Sequence, residues 1–206
     1  MTRSRSQRGY VIVDALVGLA LFGLVILSIY QVFVMALVLA QRADDRLAVQ
    51  QDVRLALDRT ARVLHETTLA PDRLRVYPAE AGCTGQYDGC IGFVTARDAN
   101  CGGHFQLVNG GPNWQATIYF WRDAASNELR SRCDPSTTFP AVEWPPPALT
   151  PHAVIGTRVV GASFTLEPAG NAAPSSVAVT LHERVPGASP SRGDVYVQTV
   201  IVPENP

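Results

Sequence analysis

The 206-residue chain contains no lysine; all 17 of its basic residues are arginine. Without lysine there is no phosphate-loop cation, no Schiff-base amine and no kinase-type lysine, which excludes the enzyme classes built on them. Charge is scarce too, at 17% of residues against a usual share of about 25%. It sums to −1, so no global basic field is present to hold nucleic acid. A hydrophobic share of 47% excludes a disordered chain, and Gly 16 with Pro 15 excludes a collagen-like repeat. The length fits one domain, or one domain with an appendage.

The longest absence is local. Between Asp14 and Arg42 there is no charge, and Ala15–Ala40 reads ALVGLALFGLVILSIYQVFVMALVLA. As a helix this run would measure roughly 39 Å at 1.5 Å per residue, enough to cross a hydrocarbon core of about 30 Å. Arg3, Arg5 and Arg8 precede it with no acid among them, which keeps the N-terminus cytoplasmic and exports the chain beyond residue 42. A cleavable secretory signal, with Val38-Leu39-Ala40 as its small-residue site, would need an apolar core of only about 7–15 residues. A plain one-pass anchor fits length and orientation but leaves Asp14 unexplained. A carboxylate costs up to about 2.5–3.5 kcal/mol at mid-membrane, less near the interface, and marks function by default.

The junction Arg8-Gly9-Tyr10-Val11-Ile12-Val13-Asp14-Ala15-Leu16-Val17 resembles the leader junction of type IV pilins and type II secretion pseudopilins. That family joins a short basic leader ending in glycine to an apolar stretch holding one carboxylate, then a long apolar helix. The resemblance implies cleavage by a prepilin peptidase between Gly9 and Tyr10, N-methylation of Tyr10, and a subunit-pairing role for Asp14, the fifth mature residue. It also implies insertion in the inner membrane and assembly with other pilin or pseudopilin subunits through the N-terminal helix. The family usually has phenylalanine where Tyr10 stands and glutamate where Asp14 stands, and major pilins often carry a mid-helix proline that this run lacks. These departures point to a low-copy, minor subunit. The run Gln51-Asp52-Val53-Arg54-Leu55-Ala56-Leu57-Asp58-Arg59 is similar to the same stretch of W-type minor pilins and J-type pseudopilins.

Residues 41–66 hold no Gly or Pro and are rich in good helix formers. Val49, Val53, Ala56, Thr60 and Val63 recur at three- and four-residue steps, with Leu57, Ala61 and Leu64 beside them, which predicts an amphipathic continuation of one helix from Tyr10 to Glu66. Pro71 ends it. The pattern then alternates. Strands are predicted at Leu74–Tyr77, Ile91–Thr95, Phe105–Val108, Trp114–Trp121 (with Trp114, Ala116, Ile118 and Phe120 on one face), Glu128–Arg132, Arg158–Leu166, Val177–Leu181 and Val195–Ile201. The last two should form a hairpin through Pro186–Gly193, and the proline-rich Pro135–Pro151 reads as a surface loop. The expected organisation is a leader (1–9), a transmembrane and filament-core helix (10–40), its amphipathic continuation (41–66) and an exported β-rich domain (72–206). The fold class is α+β, pilin-like, a long N-terminal helix packed on antiparallel sheet.

Cys83, Cys90, Cys101 and Cys133 all fall in the exported part, where an even count implies two disulfides with three possible pairings. Cys83–Cys90 would close a flexible six-residue loop and leave Cys101 to Cys133. Structural zinc needs cysteine pairs two to four residues apart, which do not occur. His65-Glu66-Thr67-Thr68-Leu69 lacks the second histidine of a zinc-protease helix, and Gly161-Ala162-Ser163-Phe164-Thr165 fails the nucleophile-elbow pattern at its last place. His104 and His152 are scattered, and His182 falls on the outer face of a strand. Asp88, Asp98 and Asn100 lack the fixed oxygen spacing of a calcium loop. No catalytic, cofactor or metal residue is therefore assigned.

Two function classes remain: a structural subunit of a type IV pilus or type II secretion filament, acting in initiation or at the tip, and a tip-displayed adhesin or DNA-uptake receptor. Trp114, Tyr119, Trp121 and Arg122 would stack and pair with nucleic acid in the second. From Asp72 onward, however, 9 arginines face 12 acids, a balance of −3 that disfavours such a partner.

Overall fold

The structure is a computed structural model describing residues 7–70, 73–77, 87–98, 101–135, 153–168, 174–186 and 194–203. Helix α1 (Gln7–His65) comes first, and antiparallel strands come after it, so the chain is α+β. Two units are distinguished, Met1–Asp45 and Arg46–Pro206.

In the first unit the described residues are all helical. The helix already runs at Gln7, three residues before the expected start at Tyr10, because Gln7 and Arg8 are themselves good helix formers and no proline intervenes. From Ile12 to Leu39 no side chain is buried; the large apolar ones range from 39% exposed at Val34 and Val38 to 71% at Met35. The hydroxyl of the run's one serine is satisfied internally, Ser28 Oγ donating to Leu24 O at 2.8 Å.

The second unit contains the rest of α1 and ten strands among the described residues: β1 (Leu74–Tyr77), β2 (Tyr87–Thr95), β3 (Leu107–Val108), β4 (Gly111–Pro112), β5 (Ala116–Asp123), β6 (Glu128–Asp134), β7 (Ala153–Thr157), β8 (Val159–Glu167), β9 (Ser176–Arg184) and β10 (Asp194–Ile201). They form a five-stranded sheet in the order β1-β2-β5-β6-β7, a three-stranded sheet β10-β9-β8, and the small ribbon β3-β4. The stripe Val49, Val53, Ala56, Leu57, Thr60 and Leu64 of α1 is buried with Ile91, Phe93, Ile118, Phe120 and Leu129 of the larger sheet and Val177, Val179 and Leu181 of the smaller. Tight i→i−3 bonds, Glu66 N to Val63 O and Thr67 N to Leu64 O, end the helix. Three contacts then anchor that end. Thr67 Oγ1 donates to Val94 O, His65 Nδ1 to Val202 O, and Arg97 clasps Glu66 bidentately at 2.6 and 2.7 Å.

Three strand expectations need correcting. Strand β5 is buried along its whole length, not on the Trp114-Ala116-Ile118-Phe120 face alone, because it is the central strand of its sheet. The expected strand Phe105–Val108 shrinks to Leu107–Val108, paired with β4 around Asn109 and Gly110, both at positive φ; Asn-Gly is a hairpin signal that favours this turn. Strand β7 is an addition to the expected set; it forms as a ladder partner of β6, and Arg158 at φ 61° turns the chain directly from β7 into β8. The proline-rich segment lies outside the described residues except for Pro135.

Gly89 sits at the register shift between β2 and β5 with φ 73°, and a side chain there would run into the backbone carbonyl of Ala162 in β8. Both the left-handed backbone and the close approach of the two sheets require glycine. Gly89→Ala is expected to destabilise the fold by about 1–3 kcal/mol, read as a lowered thermal midpoint with unchanged far-ultraviolet circular dichroism at 25 °C.

Candidate functional site

The feature with the clearest functional chemistry is the start of α1. Gly9 and Tyr10 lie in its first turn, and Asp14, an exposed carboxylate, opens the charge-free run. No acid occupies the first helical turn, so Asp14 is beyond the reach of the helix N-terminal dipole, which fades within one turn. A helix that is apolar all round belongs in a membrane or among like helices. Among the described residues α1 is the one helix long and apolar enough to span a membrane.

Cys101 and Cys133 form a disulfide that ties the segment after β2 to β6. Cys90 is disulfide-bonded as well, and Cys83 lies outside the described residues.

The residues weighed for nucleic acid do not form a surface. Tyr119, Trp121 and Arg122 are buried, and Trp114 is half-buried. Arg122 serves the fold: Nε donates to Val159 O at 2.8 Å and Nη2 to Asn127 Oδ1 at 3.0 Å, joining the two sheets. Burial, with Tyr77 and Asp134 adding to it, pushes the Tyr119 phenol above its usual range and keeps it neutral. His182, expected on an open outer face, stacks on Tyr196 with ring centres 4.0 Å apart and places Nε2 2.9 Å from Asp194 Oδ2. Among the described residues no group of three His, Cys, Asp or Glu side chains converges to hold a metal. Asp98 instead accepts a bond from Gly102 N, His65 is held by Val202 O, and His152 and Asn100 lie outside the described residues.

One buried group is not among the residues that the sequence singles out. Glu183 continues the alternation of Val177, Val179 and Leu181 on the core face of β9 and is fully buried, with no hydrogen-bond partner for either carboxylate oxygen among the described residues. That parity is the signal that could have found it. Burial, reinforced by the Asp52 carboxylate of α1 and opposed by Arg158 between β7 and β8, raises its pKa to about 8. A neutral carboxyl is the form such a site accepts, since an unpaired buried charge is far costlier.

Comparison with family models, with curated proteins and with solved structures finds no match to this chain.

The Glu183 proton makes the fold sensitive to alkali. Its folded pKa lies above the unfolded value near 4.5, so its contribution is full below that value and is lost as pH rises through about 8. The thermal midpoint should therefore fall between pH 5 and pH 9, and Glu183→Gln should flatten that slope. An equal slope in the variant would assign the pH dependence to other groups.

Proposed function

We propose that the chain is a minor pilin or pseudopilin, a non-enzymatic structural subunit of a type IV pilus or type II secretion filament. The observation that carries this reading is the junction at Gly9, Tyr10 and Asp14 opening directly onto a charge-free stretch of α1 in which no side chain from Ile12 to Leu39 is buried. A one-pass anchor accounts for the apolar run but gives no role to a carboxylate at its head.

In this reading the arginine-bearing leader stays cytoplasmic and the Arg46–Pro206 unit is exported from the inner membrane. A prepilin peptidase cuts after Gly9, where the missing side chain lets the backbone approach the peptidase closely. Cleavage leaves an amine on Tyr10, which is then N-methylated. In a bundle of apolar helices an uncompensated charge is costly, so Asp14 pairs with the Tyr10 amine of a neighbouring subunit and sets its register on entry. The 9-to-12 balance of arginines and acids after residue 71 weighs against a DNA receptor, and the burial of Tyr119, Trp121 and Arg122 weighs the same way.

Processing and pairing are separable. Gly9→Leu should leave membrane-inserted precursor that retains residues 1–9, visible by N-terminal sequencing, while wild-type protein should begin at Tyr10. A wild-type protein beginning at Met1 or Gln41 would sink the reading.

Asp14→Ala should be inserted and cut as wild type is, yet enter filaments or support secretion at least tenfold less well, a ratio equivalent to about 1.4 kcal/mol. Asp14→Glu should assemble. Full assembly by Asp14→Ala would reduce Asp14 to a local role at its own helix end.

A further inference from the structure

A groove of about 240 Å³ lies between Asp52, Leu55 and Arg59 of α1 and residues 154–157 of β7. Four consecutive strand residues line it. A register shift between Val154 and Gly156 interrupts the alternation of side chains, so neighbouring residues of β7 can line one wall together. The outer edge of β7 is open: β7 ends the order of its sheet, and among the described residues no strand pairs with it on the side away from β6. Gly156 sets the width, since even a methyl group there would come within 3.1 Å of Ala56 Cβ. The helix side is an adjacent stripe to the buried one, with Leu55 56% exposed, and Val154 across the groove is 43% exposed. Neither Asp52 nor Arg59 has a hydrogen bond or ion pair among the described residues.

We propose that this groove docks an extended segment of a partner protein, which adds to β7 as a further strand and presents a basic, an apolar and an acidic side chain at alternate positions. The volume is below the roughly 300–1,000 Å³ of small-molecule pockets and suits a few side chains beside a backbone. A helix flanking a free sheet edge is a recurring way to capture extended peptides: the edge supplies main-chain bonds and the helix supplies specificity. Here the specificity is an acid and a base two helical turns apart, roughly 10.5 Å, with Leu55 between them. Same-face residues of a strand recur about every 6.7 Å, so charges four positions apart, about 13 Å, reach both with an apolar residue midway. Among the described residues the strands at sheet ends are β1, β3, β4, β7, β8 and β10, and none places a basic and an acidic side chain on one face around an apolar one, so none matches the chemistry of this groove. The proposal does not depend on the filament reading.

The test uses the full chain in detergent micelles and two fluorescently labelled, end-capped probes, Thr-Arg-Thr-Val-Thr-Glu-Thr and Thr-Glu-Thr-Val-Thr-Arg-Thr, followed by anisotropy. One of the two should bind saturably and at least tenfold more tightly than the other. N-methylation of its alternate ladder amides should cost at least tenfold. Arg59→Asp, with its near-ultraviolet circular dichroism unchanged, should cost as much, and Asp52→Arg with Arg59→Asp together should exchange the preference between the probes. The proposal is overturned by absence of binding at millimolar probe, by equal binding of the N-methylated form, or by a preference that the double swap leaves in place. Concentration-dependent self-association that excludes both probes would overturn it too, by making the occupant a second copy.

Discussion

Both sheets of the Arg46–Pro206 unit bury their apolar residues in one cluster with a single stripe of α1. Val49, Val53, Ala56, Leu57, Thr60 and Leu64 are buried together with the inward residues of the larger and the smaller sheet. Each buried Val or Leu in such a cluster contributes about 1.5–3 kcal/mol, so the stripe dominates over the ion pairs around it. Those pairs are partly exposed, and exposed pairs contribute about 0–1 kcal/mol. Arg97 with Glu66, Thr67 with Val94 and His65 with Val202 act differently, by fixing where the helix stops and the first strand begins. The covalent tie between Cys101 and Cys133 restrains the same region of chain after β2.

The same helix obeys two side-chain regimes. From Ala15 to Ala40 the helix carries no charge on any side; beyond Arg42 most apolar residues keep to a stripe, with Leu47 and Leu55 outside it among the charges. The backbone is equally satisfied in both parts, because an α-helix bonds its own polar groups in oil and in water. The difference lies in the medium each surface demands. Water is the wrong solvent for Ile12–Leu39, and either lipid or other apolar helices would replace it. A stripe with a charged reverse is what a domain-bearing helix at a water boundary requires.

The fold is readable in the sequence where periodicity is strong. The helix is placed to within three residues at its start and one at its end, and the hairpin β9-β10 lies where its alternation puts it. Weak signals fail for definable reasons. Strand β7 is five residues with an interior glycine and a bulge, so its pairing comes from β6 and not from its own propensity. Strand β5 alternates in sequence, but central position in the sheet buries both faces, and Tyr119, Trp121 and Arg122 go inside with it. The Asn109-Gly110 turn is a local signal strong enough to cut the preceding strand short, and the alternation before it hides that. The functional features divide similarly. The junction at Gly9, Tyr10 and Asp14 is a local motif, while the groove needs two segments about a hundred residues apart in sequence, Asp52–Arg59 and Val154–Thr157, and no local pattern announces it.

Two carboxyl groups in apolar settings show two solutions to one electrostatic problem. Among the described residues Glu183 has no hydrogen-bond partner for either oxygen, and Arg158 is outweighed by burial and by Asp52, so a proton neutralises it inside the fold. Its neutral form needs no other molecule and costs the core little beyond the unmade hydrogen bonds. Asp14 has no such enclosure; it stands exposed on a helix with no acid or base between residues 15 and 41. In the proposed filament a cation supplied by a neighbouring helix would compensate it at one register, because attraction in an apolar medium is strong at contact while the alternative registers leave both charges unpaired. In the proposed filament the two sites would thus differ in whether compensation comes from solvent or from an assembly partner, and only the second aligns one subunit on the next.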